Sequence, residues 1–279
     1  TEVTQLNRSS RLLRGVDEEV VARFEEAASK QWNIVKDASL SEIRENADGS
    51  VTVVAKRTTE NGEELLEIPA DAVLVATGRR PNTDTLNAKN YFDVQDGGQL
   101  SVDKYQRVLY NGAPVPGVYA LGDVSSRYQL KHVANHEARV VQHNLSHPED
   151  LRASDHRYVP AAVFSNPQIA VVGMTEEQAR QAAEREGFEI TVKAQNFGDT
   201  AYGWAMEDKI GLCKLIARKD NGVLLGAHLV GEESSVLIQP LLQAMSFGMD
   251  ARTLARGQYW IHPALTEIIE NALLGLEFD

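Results

Sequence analysis

Gly117-Val118-Tyr119-Ala120-Leu121-Gly122-Asp123 is the stretch on which the fold turns. Its apolar middle predicts a buried strand that closes on a Gly-Asp turn. Such a strand places the Asp123 carboxylate at the carboxyl end of a sheet, the edge where open α/β sheets bind ligands. A carboxylate there either holds a ligand hydroxyl or caps a turn, and spacing alone leaves both open. Leu130 to Leu145 follows with helical periodicity. The start of that helix, Gln129-Leu130-Lys131-His132, offers backbone N–H groups to an electron-rich ligand atom.

Working outward, Ala72-Val73-Leu74-Val75-Ala76 predicts another strand, buried on both faces. It stops at Thr77-Gly78-Arg79-Arg80-Pro81-Asn82, a loop of turn residues, and Gly98 to Tyr110 is β-like. Farther upstream, Glu2–Leu6 alternates as a short strand does. Asp17 is placed to cap a helix carrying Val20, Val21, Phe24, Ala27 and Ala28 at helical spacing. Short strand-like runs follow at Trp32–Lys36, Leu40–Arg44 and Val51–Lys56, and Asn61-Gly62 marks a hairpin before Glu64–Ile68.

Downstream, His147–Tyr158 is polar, carries Pro148 and predicts a boundary. Beyond it, Ala161–Phe164, Gln168–Val172 and Glu189–Phe197 read as strands. Thr175 and Gln178 form a capping box for a helix reaching Glu186. Gly211–Arg218 and Val223–Val230 flank a Lys219–Gly222 hairpin turn. Glu232–Phe247 reads as one amphipathic helix, and a final helix spans about Ala264–Leu276. The fold class is therefore α/β plus α+β: a first half of strands and helices around buried strands, then a sheet flanked by helices.

The chain has 279 residues, room for about two domains of ~150 residues. With 40 acidic and 28 basic residues its formal net charge is −12. Such an acidic chain is poorly suited to nonspecific binding of nucleic acid or anionic membrane. Its one cysteine, Cys213, excludes an intrachain disulfide, a CxxC pair and a four-thiolate metal site. Cys213 lies in a β-like run and reads as a buried structural thiol. His132, His136, His143, His147, His156 and His228 show no metal-ligand spacing, so no metal is expected. No apolar run approaches the ~20 residues that span a bilayer. The start, Thr1-Glu2-Val3-Thr4, shows no targeting signal and reads as the middle of a domain; a cytoplasmic location is expected.

Two further features carry chemistry. In Tyr259-Trp260-Ile261-His262-Pro263-Ala264-Leu265-Thr266-Glu267, Pro263 starts a helix well and Glu267 lies in its first turns. If the chain folds back there, Glu267 accepts a proton from one imidazole nitrogen of His262 and leaves the other as a base. The competing reading is a structural histidine at a helix start. In Asn7-Arg8-Ser9-Ser10-Arg11-Leu12-Leu13-Arg14, no acid ends the preceding strand, and Arg8 and Arg14 follow it. In a dinucleotide-binding unit an acid at that place favours NAD, whereas arginine accommodates the 2′-phosphate of NADP. Outside such a unit the same loop is a solvated basic segment.

Taken in order, Ala76–Thr83, Tyr119–Val124, Val163–Pro167, Val172–Ala179 and His262-Pro263 with Glu267 resemble the flavoprotein disulfide reductases (pyridine nucleotide-disulfide oxidoreductases), the family of glutathione reductase and lipoamide dehydrogenase. The resemblance covers essentially the whole chain. Within the family it narrows over Gly257–Leu265 and Glu270–Leu276. It implies a partial Rossmann-like nucleotide-binding domain, an FAD-domain segment and an α+β dimerisation domain. The corresponding divisions are 1–84, the C-terminal part of the NAD(P)H-binding domain; 85–150, the C-terminal segment of the FAD-binding domain; and 158–279, the interface domain.

The resemblance also assigns roles. Asp123 would bond the ribityl chain of FAD, and Lys131 and His132 would face the flavin pyrimidine edge. Arg8 and Arg14 fall where members that use NADPH carry their 2′-phosphate arginines, and Gly78 and Arg79 belong to the return loop of the nucleotide domain. His262 would serve as acid and base for the interchange thiol, with Glu267 orienting it across a homodimer. The substrate would be a small-molecule disulfide, with neither nucleic acid nor membrane as partner. The family's GxGxxG loops and CxxxxC redox pair are absent from this sequence. The expectation is therefore the C-terminal part of an NADPH- and FAD-dependent disulfide reductase, inactive by itself. The alternatives are a relative of lipoamide dehydrogenase or mercuric reductase and, of another class, a catalytically silent dimerisation module.

Overall fold

The computed structural model describes residues 1–279. Thr4–Leu6 (β1) pairs in parallel with Asn33–Val35 (β2), and Glu18–Ala28 (α1) connects them. Asp17 caps α1: its Oδ1 accepts the Glu19 N–H at 3.2 Å. The five apolar residues spaced for one face, Val20, Val21, Phe24, Ala27 and Ala28, are all buried. Ala38–Glu45 (β3), Val51–Thr59 (β4) and Gly62–Ala70 (β5) then form an antiparallel meander. Its second hairpin closes at Thr59↔Gly62, where Asn61-Gly62 predicts a turn.

Arg107–Tyr110 (β6) and Ala113–Tyr119 (β7) form a two-stranded antiparallel ribbon, followed by the long helix Lys131–Ser146 (α2). Ala161–Val163 (β8) and Gln168–Gly173 (β9) enter a five-stranded sheet. Glu176–Glu186 (α3) carries the complete Thr175/Gln178 capping box. Ile190–Asn196 (β10), the short helix Ala201–Ala205 (α4), Leu212–Arg218 (β11) and Leu224–Gly231 (β12) follow. The sheet order is β10-β11-β12-β9-β8, antiparallel throughout. Ser234–Leu237 (α5), Gln239–Phe247 (α6), Ala251–Arg256 (α7) and Glu267–Leu274 (α8) complete the chain.

One compact unit comprises Thr1–Leu74 with Pro160–Asp279. In it α1 lies on β11 and β12, and Leu12, Val16, Val20, Val21 and Phe24 share a core with Ile169, Leu212 and Val230. Each such side chain contributes roughly 1.5–3 kcal/mol on burial. Through this shared core residues 1–74 group with the sheet in one compact unit. The second unit is Val75–Val159. Its core is Ala88, Leu100, Val108 and Ala120, with Phe92, Val94 and Val118 against it.

The structure corrects several expectations. Ala72–Ala76 is not a strand: it is irregular, and Leu74 and Val75 are 90% and 69% exposed. An apolar run becomes an inner strand only when strands pair on both its edges, and no strand of this chain pairs with it. Gly117–Asp123 likewise splits into the end of β7, half-buried in a ribbon, and a 3₁₀ turn at Gly122–Val124. The single helix expected over Glu232–Phe247 is two, α5 and α6, because Pro240 has no N–H to continue the first. The last helix begins at Glu267 rather than near Ala264, and α7, capped by Asp250, has no counterpart in the sequence reading. No helix is long and apolar enough to cross a membrane.

Candidate active site and cofactor-binding segments

Cis-linked Pro263 follows His262, and the chain then turns through Ala264–Thr266 into α8. That turn brings Glu267, the first residue of α8, back onto the imidazole. His262 Nδ1–H donates to Glu267 Oε1 at 2.7 Å. The second carboxylate oxygen, Oε2, accepts the Ala264 N–H at 3.3 Å and so fixes the carboxylate plane. The Glu267 side chain is 16% exposed, whereas that of His262 is 67% exposed. With its proton on Nδ1, the ring presents Nε2 and its lone pair outward. A base of this kind accepts a proton from a group that approaches from outside and returns it later. Trp260 secures the approach to the turn, donating Nε1–H to the Ala255 carbonyl at 3.0 Å. Tyr259 and Ile261, flanking Trp260, are largely exposed.

The basic loop after β1 is anchored to the core. Leu12 and Val16 are buried in the core beneath α1, and the Leu12 N–H donates to Glu25 Oε1 at 2.9 Å. Arg8 and Arg14 are exposed on that loop, and neither forms an ion pair within the chain. Two exposed guanidiniums on a loop anchored at Leu12 and Val16, with no acid at the strand end, suit a phosphate.

In the second unit the structure joins two residues that the sequence assigns to different groups. Arg79 Nη1 lies 3.0 Å from Asp123 Oδ2, both side chains being exposed. Gly78, with φ of +119°, turns the backbone so that Arg79 reaches across. Lys131 and His132 open α2, whose N-terminus carries no side-chain cap. An exposed carboxylate and an uncapped helix start suit a ligand with hydroxyls and electron-rich ring atoms, as FAD has.

Sequence reasoning missed the buried partners. Glu137 of α2 is fully buried, accepts the Gly122 N–H at 2.7 Å and pairs with His156 Nε2 at 3.0 Å. It thereby fixes the turn that carries Asp123. Under α1, Lys214 Nζ lies within 2.9 Å of Asp17 and 2.7 Å of Glu176. Burial would raise the Asp17 pKa, but the Glu176 N–H and the Lys214 ammonium outweigh it and hold the carboxyl below its ordinary range. Burial holds the His228 imidazole below its ordinary value, so this ring is kept neutral. Neither cluster has a local sequence signal, because the partners are separated by 15 to 211 residues. Cys213 is fully buried and its thiol is pushed up to about 12 by burial, which leaves it inert.

Comparison with known proteins places the chain in a family. The model of the "Pyridine nucleotide-disulphide oxidoreductase" family matches residues 1–138, and that of the family's dimerisation domain matches residues 159–273. A mycothione reductase of Mycobacterium tuberculosis is 51% identical over 98% of this chain and 57% of its own length. This is the branch to which Gly257–Leu265 and Glu270–Leu276 point. A dihydrolipoyl dehydrogenase of Synechocystis is 31% identical over 97% of this chain and 56% of its own. Among solved structures, an HOCl-induced flavoprotein disulfide reductase of Escherichia coli superposes with a TM-score of 0.83 at 27% identity, over 99% of this chain and 59% of that one. The chain thus spans a little over half the length of the relatives it matches. On both family models and these relatives, it belongs to the pyridine nucleotide-disulphide oxidoreductase family.

Proposed function

We propose that this chain supplies the acid–base pair and the dimer interface of an NADPH- and FAD-dependent disulfide reductase acting on mycothione or a closely similar small-molecule disulfide. The observation that carries the reading is the His262–Glu267 pair, bonded at 2.7 Å with Nε2 facing outward. NADPH and FAD, when bound, supply the reducing electrons. Overall, one NADPH, one proton and one disulfide give NADP⁺ and two thiols. His262 takes the proton of an attacking thiol at Nε2 and returns it to the departing thiolate. Glu267 keeps Nδ1 protonated and stabilises the imidazolium formed between those steps. Asp123 with Arg79, and the α2 start at Lys131 and His132, hold FAD; Gly78 lets Arg79 reach that carboxylate. Arg8 and Arg14 bind the 2′-phosphate of NADPH, and this favours NADPH over NADH.

A base exposed at the surface needs a second surface to enclose its substrate. We assign that surface to a second copy of the chain docking through residues 158–279. The exposed apolar side chains Phe247, Tyr259 and Ile261 suit such an interface. A cytoplasmic location goes with this reading.

The test is His262→Ala in the full-length flavoenzyme. Disulfide turnover is expected to fall by ~10²-fold or more, while NADPH still reduces the flavin at an unchanged rate. Unchanged turnover would remove His262 from the mechanism and the reading with it.

A further inference from the structure

We propose that Ser9 is a specificity-determining positioning residue: it aims Arg14 at the 2′-phosphate of NADPH. The inference rests on reading the Arg8–Arg14 loop as the NADPH-phosphate site. The three arginines of this loop are not equivalent. Arg11 is spent on the loop itself, its Nη2 donating to the carbonyls of Arg14 at 3.2 Å and Val16 at 3.3 Å. Arg14 is instead held by its inner nitrogen, Nε–H donating to Ser9 Oγ at 3.2 Å. A guanidinium tethered through Nε keeps the edge formed by its two terminal nitrogens for a bidentate contact with an anion.

Ser9 is built for the tether. Its hydroxyl donates to the Arg11 carbonyl at 2.8 Å and accepts from Asn7 Nδ2 at 3.2 Å as well as from Arg14. One donor and two acceptor positions are all the bonds a hydroxyl has, so Ser9 has nothing left for the nucleotide and acts through Arg14. Asn7 is fixed in turn. Its Nδ2 also donates to the Ser9 carbonyl at 2.7 Å, its backbone N–H donates to Val35, and its carbonyl accepts from Ala38. The tether therefore runs from the β1–β2 pair through Asn7 and Ser9 to Arg14. It removes side-chain freedom that an untethered arginine would lose on binding.

The test is calorimetric and does not depend on turnover. Adenosine 2′,5′-bisphosphate and adenosine 5′-monophosphate are titrated into the full-length flavoenzyme and its variants. Ser9→Ala is expected to weaken the bisphosphate about 5- to 10-fold, the worth of one ordinary hydrogen bond, and to leave the monophosphate unchanged. Ser9→Thr, which keeps the hydroxyl, is expected to restore binding. Arg14→Lys keeps the charge but has no Nε, so it is expected to weaken the bisphosphate similarly, and adding Ser9→Ala to it should change nothing further. That pair also decides the matter if Ser9→Ala alone folds poorly. Equal loss for both probes, or additive loss in the double variant, would overturn the role of Ser9. If Arg14→Ala weakens the bisphosphate and Ser9→Ala does not, the tether fails while the NADPH reading stands. If Arg14→Ala has no effect, the phosphate site itself is wrong.

Discussion

Two histidine–carboxylate groupings in the same compact unit have opposite fates. Beneath α1, His228 is 1% exposed and both its nitrogens are used: Nδ1 faces the Asp17 N–H at 3.4 Å, and Nε2 the Met174 carbonyl at 2.9 Å. At the start of α8, His262 is mostly exposed and bonds through Nδ1 alone. The first arrangement locks a neutral ring into the packing between α1, α3 and the sheet. The second holds a ring in one tautomer and leaves its other nitrogen for chemistry. The type of residue does not mark a working base. What marks it is an oriented ring with one nitrogen still open to a reactant.

Breaking the buried side should cost the most stability. Lys214→Ala would leave Asp17 and Glu176 facing each other in the interior without their shared cation, with Glu19 at the rim. The expected loss is ~3–5 kcal/mol by chemical denaturation. A loss below ~1 kcal/mol would mean that solvent already reaches the cluster.

Acid should find the same region. The folded His228 imidazole lies below its ordinary value of 6.5, so the unfolded chain takes up a proton that the folded chain refuses. Stability should therefore begin to fall as pH drops through about 6.5. Asp17 and Glu176 lie below their ordinary values of 3.8 and 4.5, despite burial, because Lys214 and the hydrogen bonds favour their ionised forms. Their contribution is intact above those values and is lost as pH falls through the depressed ones, giving a second, more acidic limb. Denaturation midpoints followed from pH 7 to 3 would show both limbs, and a flat profile down to pH 5 would contradict the assignment of His228.

Breaking the exposed side should act on rate instead. Glu267→Gln keeps a hydrogen-bond acceptor for Nδ1 but removes the charge that stabilises the imidazolium. Turnover should fall by roughly tenfold, equivalent to ~1.4 kcal/mol in the barrier, and the melting temperature should barely move. A large melting shift with normal turnover would reverse the comparison and make the pair a structural cap.

Local chemistry was legible wherever a residue's partner lies within a turn or a hairpin. The Asp17 cap, the Thr175/Gln178 box, the Asn61-Gly62 hairpin and the Glu267 partner of His262 all fall within five residues of what they bind. The strands of the five-stranded sheet were legible too, because each apolar run there meets a neighbouring strand. The run at Ala72–Ala76 reads just as clearly as a strand and is none. Periodicity reports which side chains could be buried; it does not say whether a neighbour is there to bury them.

The sequence by itself therefore determined the Asp17 and Thr175 caps, the hairpins, the strands of the five-stranded sheet, the family resemblance and the placing of Glu267 within reach of His262, since each depends on short-range spacing or on a specific order of motifs. Only the tertiary structure decided the rest: that α1 shares its core with the distant sheet, that Lys214 sits among Asp17 and Glu176, that Arg79 meets Asp123, and that Arg11 is spent where Arg14 is presented. Those contacts join residues far apart in the chain or turn on the direction of a long side chain. Packing fixes both, and spacing along the chain records neither.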